Sequence, residues 1–170
     1  IKRPFFSLEE RLDMVREAER CDLQLMVGMI FRYLPVYQAT RRLLSEGEIG
    51  SAAFAQFTYV RHRDGRRADL NKYCLPQEQP MLVEQSIHHL DLMRYCYQRE
   101  VEWLQADTWN PPWSTYQDDS NVSVLLCFEG GVRVNYLGTW TAAWNQFDFQ
   151  WRTDCEGGVL IQKHQFDNLY

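Results

Sequence analysis

The sequence predicts an α+β fold in which helices cover one face of a mostly antiparallel, open β-sheet. The order of the segments carries this prediction. Three helical segments lie before residue 99, whereas five of the strand-like segments lie after it. The chain has 170 residues, of which 45% are hydrophobic, so it is long enough to bury the core of one domain.

The first third of the chain alternates helix and strand signals. Ser7 opens a capping box with Glu10, which predicts a helix that ends near Cys21. Residues 23–30 are almost continuously apolar, a pattern typical of a strand buried on both faces, and a helix followed by such a strand is half of a parallel α/β unit. Residues 35–46 form the next predicted helix, because proline is favoured in a first turn and Gly47 follows the last one.

The remaining strands are predicted from alternation and from β-branched or aromatic content. Residues 53–63 form the first of them, and a polar, irregular loop of a kind that is often functional follows over residues 64–80. Glu129, Gly130 and Gly131 predict the turn of a hairpin. The later strands are expected at residues 101–109, 121–128, 132–141, 147–153 and 158–162.

The most informative segment is residues 81–98, MLVEQSIHHLDLMRYCYQ, which has the pattern of one helix. At about 100° per residue, four polar side chains fall on one line, and we call them the polar stripe: Glu84, His88, Asp91 and Tyr95. The rest of this helix is apolar, so most of it is expected to be buried. Since carboxylates are rarely buried without partners, the polar stripe is expected to face either a polar network in the core or a cleft.

Four roles are open for this helix. In the first, His88 is a core histidine that Asp91 holds. In the second, His88 is a general acid/base, because imidazole titrates near neutral pH and a carboxylate one turn away fixes its tautomer. A metal site of Glu84, His88 and Asp91 with His89 is disfavoured, because His89 lies about 100° around the helix from His88, so no metal is expected. A Cys96 nucleophile is disfavoured because an apolar environment raises a thiol pKa.

Composition argues against several classes of function. The net charge of −5 does not suit a nucleic-acid partner, and the basic run over residues 61–67 is expected to be a solvated loop or an anion contact. Neither an apolar run of about 18 residues nor a secretory signal is found, so no membrane association is expected. The five cysteines are odd in number and form no CxxC pair, which favours reduced thiols in a cytoplasmic protein.

The order of several short motifs resembles that of a known enzyme family. The chain opens with Lys2-Arg3-Pro4, continues after the first helix with LMVGMIFRYLP, and then has a helix that ends in EGEIG. EQSIHHLDLMRY follows at residues 84–95. This ordered set is similar to that of the NAD(P)-dependent oxidoreductases related to glucose–fructose oxidoreductase and inositol 2-dehydrogenase (the Gfo/Idh/MocA family), in a fragment centred on the C-terminal domain.

The resemblance implies two domain pieces. Residues 1–31 correspond to the tail of the dinucleotide-binding domain, which makes the expected fold an α+β sheet preceded by the last helix and strand of a Rossmann-type domain. Residues 32–170 correspond to a substrate-binding and dimerisation domain. The implied substrate is a small molecule, namely a sugar, a polyol or a related secondary alcohol. The implied partner is a second copy of the chain, packed through the open sheet into a homo-oligomer.

The resemblance also assigns roles to single residues. His88 matches the family's acid/base histidine, and Glu84 stands at the position of an aspartate that would orient it. Asp91 fills a later acidic position, and Arg32 and Tyr33 match the segment at the domain junction. These three residues are implied to bind substrate.

The opening motif departs from the family pattern. Arg3 stands where the family has its active-site lysine, beside Pro4 in the cofactor-binding segment, and Lys2 replaces a glutamate. Because arginine stays protonated, Arg3 is not expected to shuttle a proton but to stabilise a developing alkoxide. Ser86 replaces a glycine of the helix motif.

The fingerprint of dinucleotide binding, GxGxxG, is not formed by any of the nine glycines. The chain is therefore interpreted as a fragment whose full-length parent uses NAD or NADP, and the chain alone is expected to bind neither and to be inactive. The alternative is a ligand-binding or dimerisation module without catalysis. Four further residues are candidates for recognising ring hydroxyls, each with a structural role favoured: Tyr59, Arg61, Asn135 and Trp140.

Overall fold

Six strands form one open sheet in the computed structural model, which describes residues 7–63, 74–143, 146–166 and 169–170. The spatial order is β2-β3-β4-β1-β5-β6. Their bounds are β1 (Ala52–Arg61), β2 (Val101–Trp109), β3 (Asn121–Phe128), β4 (Arg133–Thr139), β5 (Phe147–Cys155) and β6 (Gly158–Gln162). Within this sheet β1 and β4 run parallel, and the other neighbours are antiparallel. The predicted fold class is confirmed.

Three α-helices accompany the sheet, namely α1 (Leu8–Arg20), α2 (Pro35–Glu46) and α3 (Ile87–Tyr97). Ser7 closes the predicted capping box of α1, Pro35 opens α2, and Gly47 ends α2 with a φ of 71°. Helices α2 and α3 pack against each other. None of the helices in the described ranges is both long and apolar enough to cross a bilayer.

The core lies between α3 and the inner face of the sheet. Alternation along the central strands places one aromatic or branched side chain in every second position toward the helix, where it is buried. The residues of this inner layer are Phe57, Tyr59, Val134, Tyr136, Phe149 and Trp151. The outer face of the sheet has no helix over it among the described residues, and side chains such as Phe54 and Trp103 are exposed there.

The predicted strand over residues 23–30 is wrong. Residues 23–29 are extended but pair with no strand of the described sheet, and residues 30–33 form a short 3-10 helix. Most of their side chains are exposed, as are those of α1, which buries none of its residues. The physical reason is that a strand buried on both faces needs a hydrogen-bonded neighbouring strand and elements that cover it, and the described residues provide neither at that place.

Candidate active site

A π-turn precedes α3 and changes the geometry of the predicted single helix. It spans Leu82–Ser86, and the Ile87 N–H donates to the Leu82 carbonyl five residues back. Pro80 and Met81 lead into the turn, and the Gln79 N–H upstream donates to Asp118 Oδ2 at 3.0 Å. A π-turn inserts one residue into the helix, so side chains before and after it no longer stack at the α-helical spacing. Such turns are frequent at functional sites.

His88 lies one residue into α3 and is half-buried. Its ring centroid lies 5.1 Å from that of Phe31, with the two planes tilted by 42°. Phe166 meets the same phenylalanine edge-on at 5.9 Å and is itself exposed. The Nδ1 atom of His88 is buried and has no hydrogen-bond partner among the described residues. The structure therefore places this histidine beside an aromatic wall, with one ring nitrogen unsatisfied.

Glu84 lies in the π-turn and is half-buried. Its carboxylate accepts no hydrogen bond from Nδ1 of His88, which has no partner among the described residues. The extra residue of the π-turn explains this, because four residues no longer correspond to one turn. Burial raises the pKa of the Cys74 thiol, the positive charge of Arg63 opposes this rise, and the negative charge of Glu84 adds a smaller increase. The predicted orientation of His88 by Glu84 stays a prediction.

Arg32 and Asp91 join the junction segment to α3. The guanidinium donates from Nε to Oδ2 of Asp91 at 2.7 Å and from Nη2 to Oδ1, which is a bidentate ion pair. The carboxylate is 9% exposed and the guanidinium side chain 39%. Its hydrogen bonds to Asp91 raise the pKa of Arg32. The arginine also lies over the ring of Tyr95 at 5.4 Å, so the later part of the polar stripe faces the 3-10 segment.

Of the other predicted site residues, Tyr33 lies in the described structure, whereas Arg3 and Pro4 do not. Tyr33 follows the arginine of the ion pair and is exposed. Arg3 and Pro4, predicted to contact the alkoxide and the cofactor, lie outside the described residues. The substrate-binding role of Arg32 and Asp91 remains a prediction, because both carboxylate oxygens are already occupied by the guanidinium.

His89 is the site residue that the sequence interpretation missed. It is fully buried, whereas its neighbour His88 is not. Its Nδ1 lies 2.9 Å from the hydroxyl of Tyr136, and its Nε2 lies 3.1 Å from Nε2 of Gln85. Burial lowers the pKa of His89 to about 3, with a smaller contribution from the positive charge of His88. A signal was available, because His89 is followed by core residues three, four and seven positions later: Leu92, Met93 and Cys96.

The four candidates for ring-hydroxyl recognition separate into two groups. Tyr59 and Arg61 end β1 next to the π-turn, where the Tyr59 hydroxyl donates to Gln85 Oε1 at 3.4 Å and accepts from Arg61 Nη1 at 3.3 Å. Asn135 is exposed on the outer face of the sheet, opposite the layer that contacts α3. Trp140 is fully buried. The structure therefore brings Tyr59 and Arg61 toward the candidate site.

The two disfavoured chemistries find no support. Among the described residues, no group of three or more His, Cys, Asp or Glu side chains is arranged to hold a metal ion. Cys96 is buried on the core side of α3, and burial raises the pKa of its thiol. None of the five cysteines forms a disulfide bond with another described residue. The site is therefore built from an imidazole, carboxylates and arginines.

Sequence comparison relates the chain to parts of larger proteins. The model of the GFO/IDH/MocA C-terminal domain matches residues 37–161. The uncharacterized protein y4oX of Sinorhizobium fredii is 34% identical over 163 residues, covering 94% of this chain and 45% of that protein. The D-apiose dehydrogenase of Paraburkholderia graminis is 29% identical over 132 residues, covering 77% of this chain and 34% of the enzyme. The chain thus spans less than half the length of these relatives.

Solved structures share the fold. An oxidoreductase from Agrobacterium radiobacter in complex with NAD+, L-tartaric acid and magnesium has a TM-score of 0.78 at 22% identity, over 94% of this chain and 46% of that one. An inositol dehydrogenase homolog from Azotobacter vinelandii, complexed with NADH and myo-inositol, has a TM-score of 0.78 at 15% identity, over 97% of this chain and 46% of that one. The WlbA dehydrogenase from Bordetella pertussis, in complex with NADH and UDP-GlcNAcA, has a TM-score of 0.81 at 15% identity, over 95% of this chain and 50% of that one.

Proposed function

The chain belongs to the GFO/IDH/MocA family, and on this premise we propose that it is the substrate-binding half of an NAD(P)-dependent oxidoreductase. The proposed substrate is a sugar, a polyol or a related secondary alcohol. This class is supported by the D-apiose dehydrogenase among the sequence relatives and by the myo-inositol and UDP-GlcNAcA complexes among the structural ones. Residues 1–31 then form the tail of the dinucleotide-binding half, and residues 32–170 form the substrate half.

The exposed apolar side chains of residues 8–30 support this division. Large side chains on α1 and on the extended segment after it are exposed, among them Leu8, Leu12, Val15, Leu23, Met26 and Val27. So many exposed large apolar side chains in one short segment are expected at an interaction site. A dinucleotide-binding domain packed on it would bury these side chains and give residues 23–29 the strand neighbours that they lack here.

The residues described here do not build a cradle for the cofactor. A pyrophosphate site of the Rossmann type needs a glycine-rich turn that leads into a helix. Helix α1 starts at a serine cap and α2 at Leu34-Pro35, and α3 continues directly from the π-turn. We therefore assign NAD or NADP to the dinucleotide-binding half, where it supplies the hydride acceptor when bound.

The observation that carries the catalytic proposal is the contrast between two adjacent histidines. His89 is sealed in the core, whereas His88 is half-buried beside Phe31, so a substrate hydroxyl can approach the imidazole of His88 alone. In the oxidation direction His88 accepts the hydroxyl proton, and in the reduction direction it returns one.

The remaining predicted residues complete the proposed site. Arg3, which cannot shuttle a proton, is proposed to stabilise the developing alkoxide, next to Pro4 at the cofactor. Arg32 and Asp91 join the junction segment to α3, and the exposed Tyr33 follows the arginine. Substrate hydroxyls would compete for the outer edge of the Arg32 guanidinium, since that side chain is partly exposed.

The test replaces His88 with alanine in the full-length oxidoreductase that contains this chain. The expected result is a loss of turnover by roughly 10²- to 10⁴-fold with unchanged nucleotide affinity, measured by cofactor fluorescence titration. The matched control is His164→Ala, because His164 is exposed and only its backbone carbonyl accepts a hydrogen bond. Turnover of the His88→Ala protein within twofold of wild type would rule out the acid/base role.

A second proposal concerns assembly through the outer face of the sheet. Register places Trp103, Cys127, Arg133 and Phe54 in one row across four strands, and the guanidinium of Arg133 lies 4.9 Å from the Trp103 ring. Phe54 is 53% exposed and Trp103 42%. We infer that this aromatic row packs against a second copy of the chain, which would bury it.

The assembly proposal is tested by sedimentation velocity at several concentrations. The wild-type chain is expected to be a dimer, and Phe54→Asp with Trp103→Asp is expected to give monomers. Phe166→Asp is the control, because it adds one carboxylate at an exposed aromatic away from the sheet. A wild-type chain that stays monomeric at all concentrations contradicts the proposal. Ligand binding by an assembled full-length protein without any oxidation would instead favour the module without catalysis.

We also propose a cytoplasmic location. The five cysteines form no disulfide bond among the described residues, and Cys21 is exposed, a state that a reducing compartment maintains. Alkylation of freshly lysed cells without reductant, followed by mass spectrometry, is expected to modify Cys21 completely. A large oxidised fraction would contradict this location.

A further inference from the structure

Two side chains of the candidate catalytic segment contact a single tyrosine of the sheet. Tyr136, in the centre of β4, donates its hydroxyl proton to Ser86 Oγ at 2.7 Å. The same hydroxyl lies 2.9 Å from Nδ1 of His89, whose Nε2 lies 3.1 Å from the amide nitrogen of Gln85. Ser86, His89 and Tyr136 are almost completely buried. The result is a buried hydrogen-bond chain that leaves the π-turn, reaches the sheet and returns to the π-turn.

The donors and acceptors of this chain fix the tautomer of His89. Tyr136 has one hydroxyl proton, which it gives to Ser86, so its oxygen accepts from His89 and Nδ1 must carry the imidazole proton. Nε2 is then an acceptor, and the Gln85 amide nitrogen donates to it. The imidazole is neutral at physiological pH because burial lowers its pKa to about 3. Both of its nitrogens are therefore satisfied in one tautomer only.

The chain continues from Gln85 to the end of β1. With its amide nitrogen bound to His89, Gln85 presents Oε1 to the hydroxyl of Tyr59 at 3.4 Å. Tyr59 in turn accepts from Arg61 Nη1 at 3.3 Å. The hydrogen bond to His89 thus fixes the orientation of the Gln85 amide. The amide in turn orients the Tyr59 hydroxyl and, through it, the Arg61 guanidinium.

Packing explains why an imidazole is needed at position 89. Its ring lies 4.7 Å from the rings of both Phe57 and Tyr59 and 5.8 Å from that of Tyr136. A leucine would fill part of this aromatic pocket but would leave Gln85 and Tyr136 with unsatisfied buried groups. Gly138 provides the room, since a Cβ there would lie 2.5 Å from both Met81 Cε and the Tyr136 hydroxyl.

We propose that His89 is a positioning residue, which acts through Gln85, Ser86 and Tyr136 to fix the π-turn and thereby the placement of Glu84 and His88. The proposal rests on the proposed function, because it assigns catalysis to the segment that the network holds. A π-turn is less stable than a regular helix and needs compensating contacts. These hydrogen bonds are such contacts, and they lie directly beneath the candidate acid/base.

The first test examines the tautomer in this chain by two-bond ¹H–¹⁵N correlation of labelled imidazoles. His89 is expected to show a protonated Nδ1 and an unprotonated Nε2, with no change between pH 5 and 8. His89→Asn provides the assignment. A His89 signal with the proton on Nε2, or one that titrates in this range, would overturn the proposal.

The second test measures kinetics in the full-length oxidoreductase. Tyr136→Phe is expected to lower kcat on the order of 10²-fold with KM within about threefold, because a displacement near 1 Å has this effect on a proton-transfer group. Tyr97→Phe is the matched control: it removes a buried tyrosine hydroxyl from the other end of α3, where Thr153 and Trp151 are the partners. It is expected to lower stability and to leave kcat unchanged.

Conservative replacements separate positioning from simple packing. His89→Asn retains a donor near the Nδ1 position and is expected to keep a higher kcat than His89→Leu. The comparison is made between variants with the same melting temperature, so that a difference in kcat does not reflect a difference in stability. Ser86→Ala serves where Tyr136→Phe does not fold. If the wild-type enzyme is active and these variants have the same kcat as the wild type, the positioning role is refuted and the proposed function is not. Wild-type enzyme without NAD(P)-dependent turnover would refute the proposed function and, with it, this role.

Discussion

His88 and His89 are adjacent in the chain and lie in opposite environments. Both ring nitrogens of His89 have hydrogen-bond partners in the core, whereas Nδ1 of His88 has none among the described residues. The one-residue offset turns the first imidazole toward Phe31 and the second toward Tyr136. One helix thus separates a structural histidine from a candidate catalytic one.

The buried histidine makes the stability of the chain sensitive to acid. The pKa of His89 is lowered from 6.5 to about 3, mainly by burial. Below pH 6.5 the unfolded chain binds a proton that the folded chain does not, so the free energy of unfolding falls as the pH falls. Between pH 6.5 and 5 the loss is expected to be about 2 kcal/mol. Urea denaturation at several pH values measures it.

Two variants isolate this contribution. His89→Asn removes the titrating group and is expected to flatten the dependence over the same range, although its stability is lower at neutral pH. His164→Gln changes an exposed histidine and is expected to keep the wild-type slope. If His89→Asn and the wild-type chain lose stability in parallel, the acid sensitivity comes from other groups.

The ion pair between Arg32 and Asp91 is expected to respond unequally to the loss of each partner. Arg32→Ala leaves a carboxylate that is 9% exposed without its cation, and the expected cost is about 3 kcal/mol. Asp91→Asn leaves a guanidinium that is 39% exposed and regains water, so the expected cost is about 1 kcal/mol. Chemical denaturation of both variants checks the order. A larger loss in Asp91→Asn than in Arg32→Ala is the outcome that contradicts it.

Most of the fold was predictable because it depends on local patterns. Residues 101–109, 121–128 and 158–162 are predicted and observed strands with identical bounds, since each alternates or is bounded by turn residues. The strand at residues 23–30 fails for a non-local reason. Its apolar run predicts burial on both faces, but the described chain contains no neighbouring strands to provide it.

The candidate site was predictable only in part. The stripe from His88 through Asp91 to Tyr95 faces Phe31 and Arg32 as an α-helical repeat requires. Glu84 departs from that line because the π-turn inserts a residue, and no propensity in the sequence marks where a helix will widen. The turn depends on tertiary hydrogen bonds, which a one-dimensional pattern does not contain.

Three glycines test the separate effects of backbone conformation and space. Gly50 has a φ of 74°, and a Cβ there would lie 2.9 Å from Glu156 Cβ; Gly47 has a φ of 71° with open space around it. Gly28 has neither constraint. Replacement by alanine is expected to cost about 1 kcal/mol at Gly47, more at Gly50, and close to nothing at Gly28. A larger loss of stability for Gly47→Ala than for Gly50→Ala in urea titrations would contradict this interpretation.

Thiol reactivity is expected to separate the cysteines by burial. Cys21 is exposed, whereas Cys96 is fully buried, its Sγ donates to the Tyr37 carbonyl at 3.6 Å, and burial raises its pKa. Because the thiolate is the reactive form, a maleimide at neutral pH is expected to modify Cys96 at least ~10²-fold more slowly than Cys21. Peptide mass spectrometry at timed intervals measures both rates. Labelling of Cys96 is expected to accelerate across the urea transition, when α3 separates from the sheet. Equal labelling rates of Cys21 and Cys96 in the folded chain would mean that α3 does not pack as described.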